Sequence, residues 1–311
     1  MNADHAGRCI PHINVCVCTY KRPLLLRRLL KELSAQDSGG FFTFSIVVVD
    51  NDSSGSARPV ADDFAASSPV RVTYCLEPQQ NIALARNRAI ASAPGDLVAF
   101  IDDDEFPAEG WLRNLFAVRK AYNVAGVLGP VKPYFEHEPP NWVRKGRFFD
   151  RPTHPTGYKI GMREARTGNV LFVRNIVDGM SNPFRQEFGT GGEDTDFFRR
   201  MMGQGHVFLW CDEAVAYELV PPERCTRRYL LHKALWRGGT FLKHPEGRAQ
   251  NLLTSCVAVP LYVLVLPVIS LTGHHQFMKY LVKLCDHASR ILLFFGIRLV
   301  RDREPNVRGA A

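Results

Sequence analysis

Apolar positions along this chain fall into short unbroken runs separated by stretches with helical spacing. "INVCVCTY" (Ile13–Tyr20), "FSIVVVD" (Phe44–Asp50), "VRVTYCLE" (Val70–Glu77) and "GDLVAFIDDD" (Gly95–Asp104) are rich in β-branched residues. They predict four buried strands. Between them, Leu25, Leu26, Leu29, Leu30 and Leu33 recur at helical spacing behind Pro23, which suits a first helical turn. Further helices are predicted near Pro59–Ala66 and over Asn81–Ala93. Strands alternating with helices through short links predict a mostly parallel, Rossmann-like α/β sheet flanked by helices.

Beyond Pro107 the pattern loosens. Val124–Phe135 and Thr167–Arg174 read as strands, and Gly191–Gly205 as glycines and acids that open a helix. Between them, Glu136–Gly161 is rich in Pro, Gly, aromatic and charged residues and reads as a long loop near the site. In a sheet of this kind ligands bind outside the carboxyl ends of the strands. Polar clusters follow three of those ends: Thr19–Arg22, Asp50–Ser53 and Asp102–Glu105. They are expected on one rim, at one site.

Composition narrows the class. With 311 residues, 46% hydrophobic and 23% charged, the chain can bury a large core and is not a disordered protein. The net charge of +8 is unevenly placed: from Glu223 onward fourteen Lys/Arg face five Asp/Glu. The basic character therefore belongs to the C-terminal part. Eight cysteines occur without a CxxC pair, which argues against a zinc site and for free thiols. "MNADHAGRCIPH" has no apolar run of the secretory kind, and the expected location is the cytoplasmic side. No nucleic-acid-binding motif appears.

The acidic run Asp102, Asp103, Asp104, Glu105 ends the fourth predicted strand with no base inside it. Two readings are open: a seat for Mg²⁺ or Mn²⁺ carrying a diphosphate, or a solvated acidic turn. The ordered set "CTYKRP", "VVVDNDSSG", "NIALARNRAI", "FIDDDE", "TGNVLFVR" and "GGEDTDFFRR" resembles the family 2 glycosyltransferases of GT-A fold. It is similar to those that build bacterial exopolysaccharides such as succinoglycan. The resemblance covers roughly residues 13–239 and implies a catalytic domain over residues 10–240; the apolar and basic remainder, 241–311, is expected to be a helical membrane-associating region.

What the resemblance implies can be placed on single residues. Thr19, Tyr20 and Arg22 would flank the base and ribose of a nucleotide-diphosphate sugar, UDP-linked. Asp50 would face the uracil edge, with Asp52 sharing that role. Arg86 and Asn87 would help hold the nucleotide. Asp102 is the first acid of the DXD motif, near the ribose and metal, Asp103 is its intervening support, and Asp104 is the metal ligand. Asp194 would be the base of an inverting transfer, with Glu193 beside it. Such a transfer needs one base for the acceptor hydroxyl and charge stabilisation for the leaving diphosphate. Glu218 is a further metal or acceptor contact, or else a paired strand carboxylate. Arg224, Arg227 and Arg228 open a basic helix with Tyr229 and Trp236. The alternatives are a nucleotidyltransferase on a related sheet and a non-catalytic membrane scaffold.

Leu252–Thr272 carries no charge and is long enough to cross a bilayer, although Pro260 and Pro267 interrupt it. Bases stand on both sides: Lys243 and Arg248 before it; Lys279, Lys283, Arg290, Arg298 and Arg301 after it. The positive-inside rule places both flanks on the cytoplasmic side. Ile291–Val300 is short for a return span. The expectation is an interfacial or re-entrant attachment to the cytoplasmic face of the inner membrane, with a polyprenyl-linked saccharide as acceptor.

Overall fold

The structure is a computed structural model that describes residues 10–162, 164–189, 191–240 and 248–300. Lys243, Arg301 and the stretch 1–9 lie outside the described residues. By contacts the chain divides into two units. One holds the residues up to Lys132 together with Arg151–Glu218, and the other holds Pro133–Asp150 and the chain from Leu219. The sequence reading divides the chain at residue 240. By contacts, residues 133–150 and 219–240 group with the C-terminal segment.

The first unit opens β1 (His12–Thr19), α1 (Pro23–Ser34), β2 (Thr43–Asp50), α2 (Arg58–Ser67), β3 (Val72–Leu76), α3 (Ile82–Ala91) and β4 (Leu97–Ile101). This is the alternation the apolar runs predict, to within a few residues at each end. Pro23 occupies the first turn of α1, and Leu26, Leu29, Leu30 and Leu33 are its buried face. Asn81 caps α3, its side chain accepting from the backbone N–H of Ala83 and Leu84. Next come β5 (Glu105–Pro107), α4 (Trp111–Tyr122), β6 (Gly126–Leu128) and β7 (Val131–Tyr134). Val124–Phe135, read as one strand, is thus two, because Gly129-Pro130 interrupts the ladder.

The main sheet has seven strands in the order β3-β2-β1-β4-β8-β6-β9, where β8 is Asn169–Val173 and β9 is Phe208–Trp210. β3, β2, β1 and β4 are mutually parallel, and β6 is parallel to β9. β8 runs antiparallel to both of its neighbours, so the sheet is mixed. A second, three-stranded sheet has the order β5-β10-β7, with β10 at Ala216–Leu219. Two apolar cores cover the faces of the main sheet. One is built on Val15, Val17, Leu29, Ile46 and Trp111; the other on Val47, Val98, Phe172, Phe184 and Phe197. Between β8 and β9 lies α6 (Glu193–Gly203).

The second unit holds α5 (Asn141–Gly146), α7 (Arg227–Thr240), α8 (Arg248–Ser270) and α9 (His274–Phe294). Glu136–Gly161 is therefore not one loop. Its first part carries α5, with Val143 buried against Val220 and Cys225 in a small core joined by Phe135, Trp142 and Phe149. The described cysteines are all free thiols.

Candidate active site at the carboxyl rim

The parallel register sets Thr19 opposite Asp50 at the ends of β1 and β2, and β4 ends alongside them at Ile101. The acidic run begins at the next residue. Asp103 is buried: it accepts from Thr19 Oγ1 at 2.8 Å and from Arg22 Nη1 at 2.6 Å. Burial raises its pKa to about 6, against the pull of Arg22. Asp104 lies 3.5 Å from the same guanidinium. Glu105 turns inward, buried, facing the backbone N–H of Asp102 (3.4 Å) and Arg151 Nη1 (3.8 Å). Burial and the neighbouring acids hold its pKa well above the usual range.

Asp102 differs from these neighbours: its side chain is 48% exposed and faces a cleft of about 310 Å³. Crowding by protein raises its pKa, partly offset by Arg86, whose Nη2 lies at 3.5 Å. Arg86 is buried on α3 and ion-pairs through Nη1 with Glu193 Oε1. Glu193 is buried too, its pKa raised by burial against the effect of Arg86. Its other oxygen has no hydrogen-bond partner among the described residues. Gly191 and Gly192, both at positive φ, make the turn into α6. The next acid, Asp194, lines the cleft, steadied at Oδ1 by the backbone N–H of Thr195 (2.7 Å).

The remaining residues from the resemblance sit otherwise. Asp50 has no exposed surface. It accepts from the backbone N–H of Asp52 and Ala57 and from the Tyr74 hydroxyl, and so braces the loop after β2. Asp52 is buried and bonded to Ser54, which lowers its pKa. Asn87 spends its amide on the backbone of Phe184, donating at 2.7 Å and accepting at 2.8 Å. Tyr20 is half-buried, with the Lys21 ammonium 5.2 Å over its ring. Glu218 ion-pairs with Arg151, which favours the paired-carboxylate reading of it. Asp196 is taken by Arg200 and Arg185.

Of the residues lining the cleft, Arg151, Ala165, Arg166, Thr167, Gly168 and Thr195 escape the sequence reading as site residues. For residues 165–168 the cause is strand direction. Because β8 is antiparallel, Asn169 at its start pairs with Ile101 at the end of β4. The residues entering β8 therefore reach the rim that carries the acidic turn. A Cβ on Gly168 would lie 2.8 Å from Glu105 Oε1 and 3.1 Å from Asp102 Oδ2. An apolar run such as "VLFV" gives no hint of direction.

No three His, Cys, Asp or Glu side chains converge as a metal cage among the described residues. Mg²⁺ and Mn²⁺ accept one or two carboxylates and keep several waters. The half-exposed carboxylate of Asp102 is of the kind such an ion takes, whereas Asp104, two residues on, lies against Arg22.

A mixed α/β sheet with an acidic turn at its carboxyl rim, facing arginines and a second carboxylate, defines the class as a GT-A-like transferase fold. The chain belongs to glycosyl transferase family 2, whose profile matches residues 14–176. It is 34% identical over 242 residues to the succinoglycan biosynthesis protein ExoM of Rhizobium meliloti, covering 78% of this chain and 77% of that one. A Campylobacter jejuni GalNAc(5)-diNAcBac-PP-undecaprenol beta-1,3-glucosyltransferase is 30% identical over 108 residues, 34% of each chain. Among solved structures, S. aureus TarS 1-349 in complex with UDP matches with a TM-score of 0.53 over 94% of each chain. At 18% identity that likeness is one of fold.

Proposed function

We propose that this glycosyltransferase moves a sugar from a UDP-linked donor to a lipid-linked saccharide in cell-surface polysaccharide synthesis, with inversion at the anomeric carbon. The observation that carries this reading is the cleft itself, with Asp102 and Asp194 both on its wall among arginines. One carboxylate belongs to the donor side and the other is open to an acceptor. Glu193 is held by Arg86, so Asp194 is the acid left to take the acceptor proton. Thr19 and Arg22 orient the acidic turn through Asp103. Asp102 and Asp104 would hold a divalent ion, which supplies neutralising charge to the diphosphate when bound. The TarS complex supports UDP as the nucleotide, and the undecaprenol-linked substrate named for the Campylobacter relative supports a lipid-linked acceptor.

The helical unit supports attachment to a membrane. Ala249–Ser270 is long and apolar enough to span one, and only 11% of its most apolar stretch is buried in the protein. With bases on both flanks, the reading is attachment at the cytoplasmic face.

The test is release of free UDP across a panel of UDP-sugars, with a membrane lipid extract as acceptor. Wild type turns over at least one donor. Asp194→Asn loses about two to four orders of magnitude in turnover and keeps UDP affinity. Pyrophosphate release in place of UDP would establish nucleotidyl transfer. An Asp194→Asn variant at full rate would remove the base assignment.

A further inference from the structure

Of the three guanidinium groups on the cleft wall, two already face acids. Arg86 lies between Glu193 and Asp102, and Arg151 between Glu105 and Glu218. Arg166 differs. It makes no ion pair among the described residues, and its one hydrogen bond there runs from Nε to the Glu164 carbonyl at 3.3 Å. Burial and the nearby Arg151 lower its pKa, against the pull of Asp194, Glu105 and Glu218. Beside it, Thr167 is only 1% exposed, and its hydroxyl has no hydrogen-bond partner among the described residues. Buried hydroxyls are normally satisfied. An unpartnered buried hydroxyl beside a half-buried arginine with no ion pair among the described residues, both on the wall of one cleft, marks a position for an anionic oxygen from outside the chain.

We infer that Arg166 and Thr167 form the subsite for the donor's diphosphate, receiving the phosphate that leaves the sugar. The placement carries this assignment. Residues 165–168 enter β8 at the end of β4, next to Asp102, and Arg166 also feels the charge of Asp194. Arg166 thus stands where donor and acceptor sides meet. In the transfer, the acceptor oxygen bonds to the anomeric carbon and its proton passes to Asp194. The bond from that carbon to the phosphate oxygen breaks, and its electron pair stays on the diphosphate. A half-buried guanidinium on the cleft wall, with no ion pair among the described residues, needs little reorganisation to stabilise that growing charge. The Thr167 hydroxyl donates to the same group. Charge balance agrees: an anion here pairs with the one cleft arginine that has no ion pair among the described residues.

This inference rests on the glycosyl-transfer reading, and calorimetry on the full chain separates the two. The probes are UDP, GDP, UMP and uridine, with wild type, Arg166→Gln, Arg166→Lys and Thr167→Val, each first checked for unchanged melting. Arg166→Gln weakens UDP by roughly ten- to a hundredfold and leaves uridine unchanged. Arg166→Lys recovers part of the loss, and Thr167→Val shows a smaller loss of the same pattern. In steady state, kcat falls more than the donor KM rises. UDP affinity unchanged in Arg166→Gln overturns the subsite while the glycosyl-transfer reading stands. The same holds if selectivity between UDP-hexuronate and UDP-hexose changes instead, placing a sugar carboxylate there, or if only the acceptor KM rises. Wild type that binds none of the nucleotides overturns both.

Discussion

Glu193 and Asp194 are neighbours with opposite surroundings, and their variants should fail differently. Glu193 is buried against Arg86, so Glu193→Gln leaves a buried guanidinium with Asp102 as its one ion-pair partner among the described residues. The expected loss is about 3 kcal/mol of stability, read by urea denaturation, because breaking a buried pair strands a charge. Asp194 lines the cleft, and its replacement should cost turnover with little stability. Asp103 adds a pH signature. Its pKa is about 6 in the fold against 3.8 for a free aspartate, so the native state binds the proton more tightly. The stability this provides is complete below the unfolded value and is lost as pH rises through about 6. Between those values the stability difference should move towards Asp103→Asn by up to about 3 kcal/mol, read from melts in metal-free buffer. A flat difference would show that Arg22 and Thr19 fully offset the burial. At this scale the sequence showed which residues carry charge at the site. The resemblance set Asp102 apart from Glu105, but nothing in the residues themselves shows that Glu105 turns inward. Nor could it see that Asp50 and Asn87 spend their side chains inside the fold.

Among elements, β1 to β4 and α1 to α3 were legible because each has an unmistakable period and each link is short. Legibility ended where direction or length departed from that rhythm. β8 looks like any other buried run, yet its antiparallel course brings Arg166, Thr167 and Gly168 to the rim. Six-residue α5 is too short for its period to show. The approach of β8 to the acidic turn leaves no room at Gly168. An added methyl would press on Glu105, which is buried and held from two sides, and through it on Asp102. Gly168→Ala should therefore lower kcat about a hundredfold by displacing Asp102, while stability falls by about 1–2 kcal/mol. Gly203→Ala, in α6 with nothing near its added carbon, is the control and keeps full rate. Equal rates for the two variants would mean that the rim yields without moving Asp102.

For the whole molecule, the proposed membrane attachment turns on how α8 would meet a bilayer, and its pairing with α9 bears on that directly. Gly273, at φ +124°, turns the chain between them. Ser255 Oγ lies 3.0 Å from His287 Nδ1, and the rings of Tyr262 and Tyr280 are 5.8 Å apart, so the two helices run antiparallel, side by side. The other face of α8 is apolar and exposed along its length: Leu253, Val257, Leu261, Leu264 and Val268. Composition alone would let this helix cross a bilayer, its 22 residues spanning about 33 Å. Crossing would carry α9 along, with Lys279, Lys283, Asp286 and Arg290, and each charge at the centre of a bilayer costs about 2.5–3.5 kcal/mol. A helix lying in the interface avoids that penalty, with its apolar face in the acyl region and its partner towards the headgroups. The full chain should then bind vesicles containing acidic lipid, and Leu261→Lys with Leu264→Lys should release it. Nitroxides placed in turn at positions 253, 257, 261, 264 and 268 separate the two arrangements by depth-dependent quenching. An in-plane helix puts all five at one shallow depth. A spanning helix gives depths that deepen towards the middle of the series, and that profile would require α9 to part from α8.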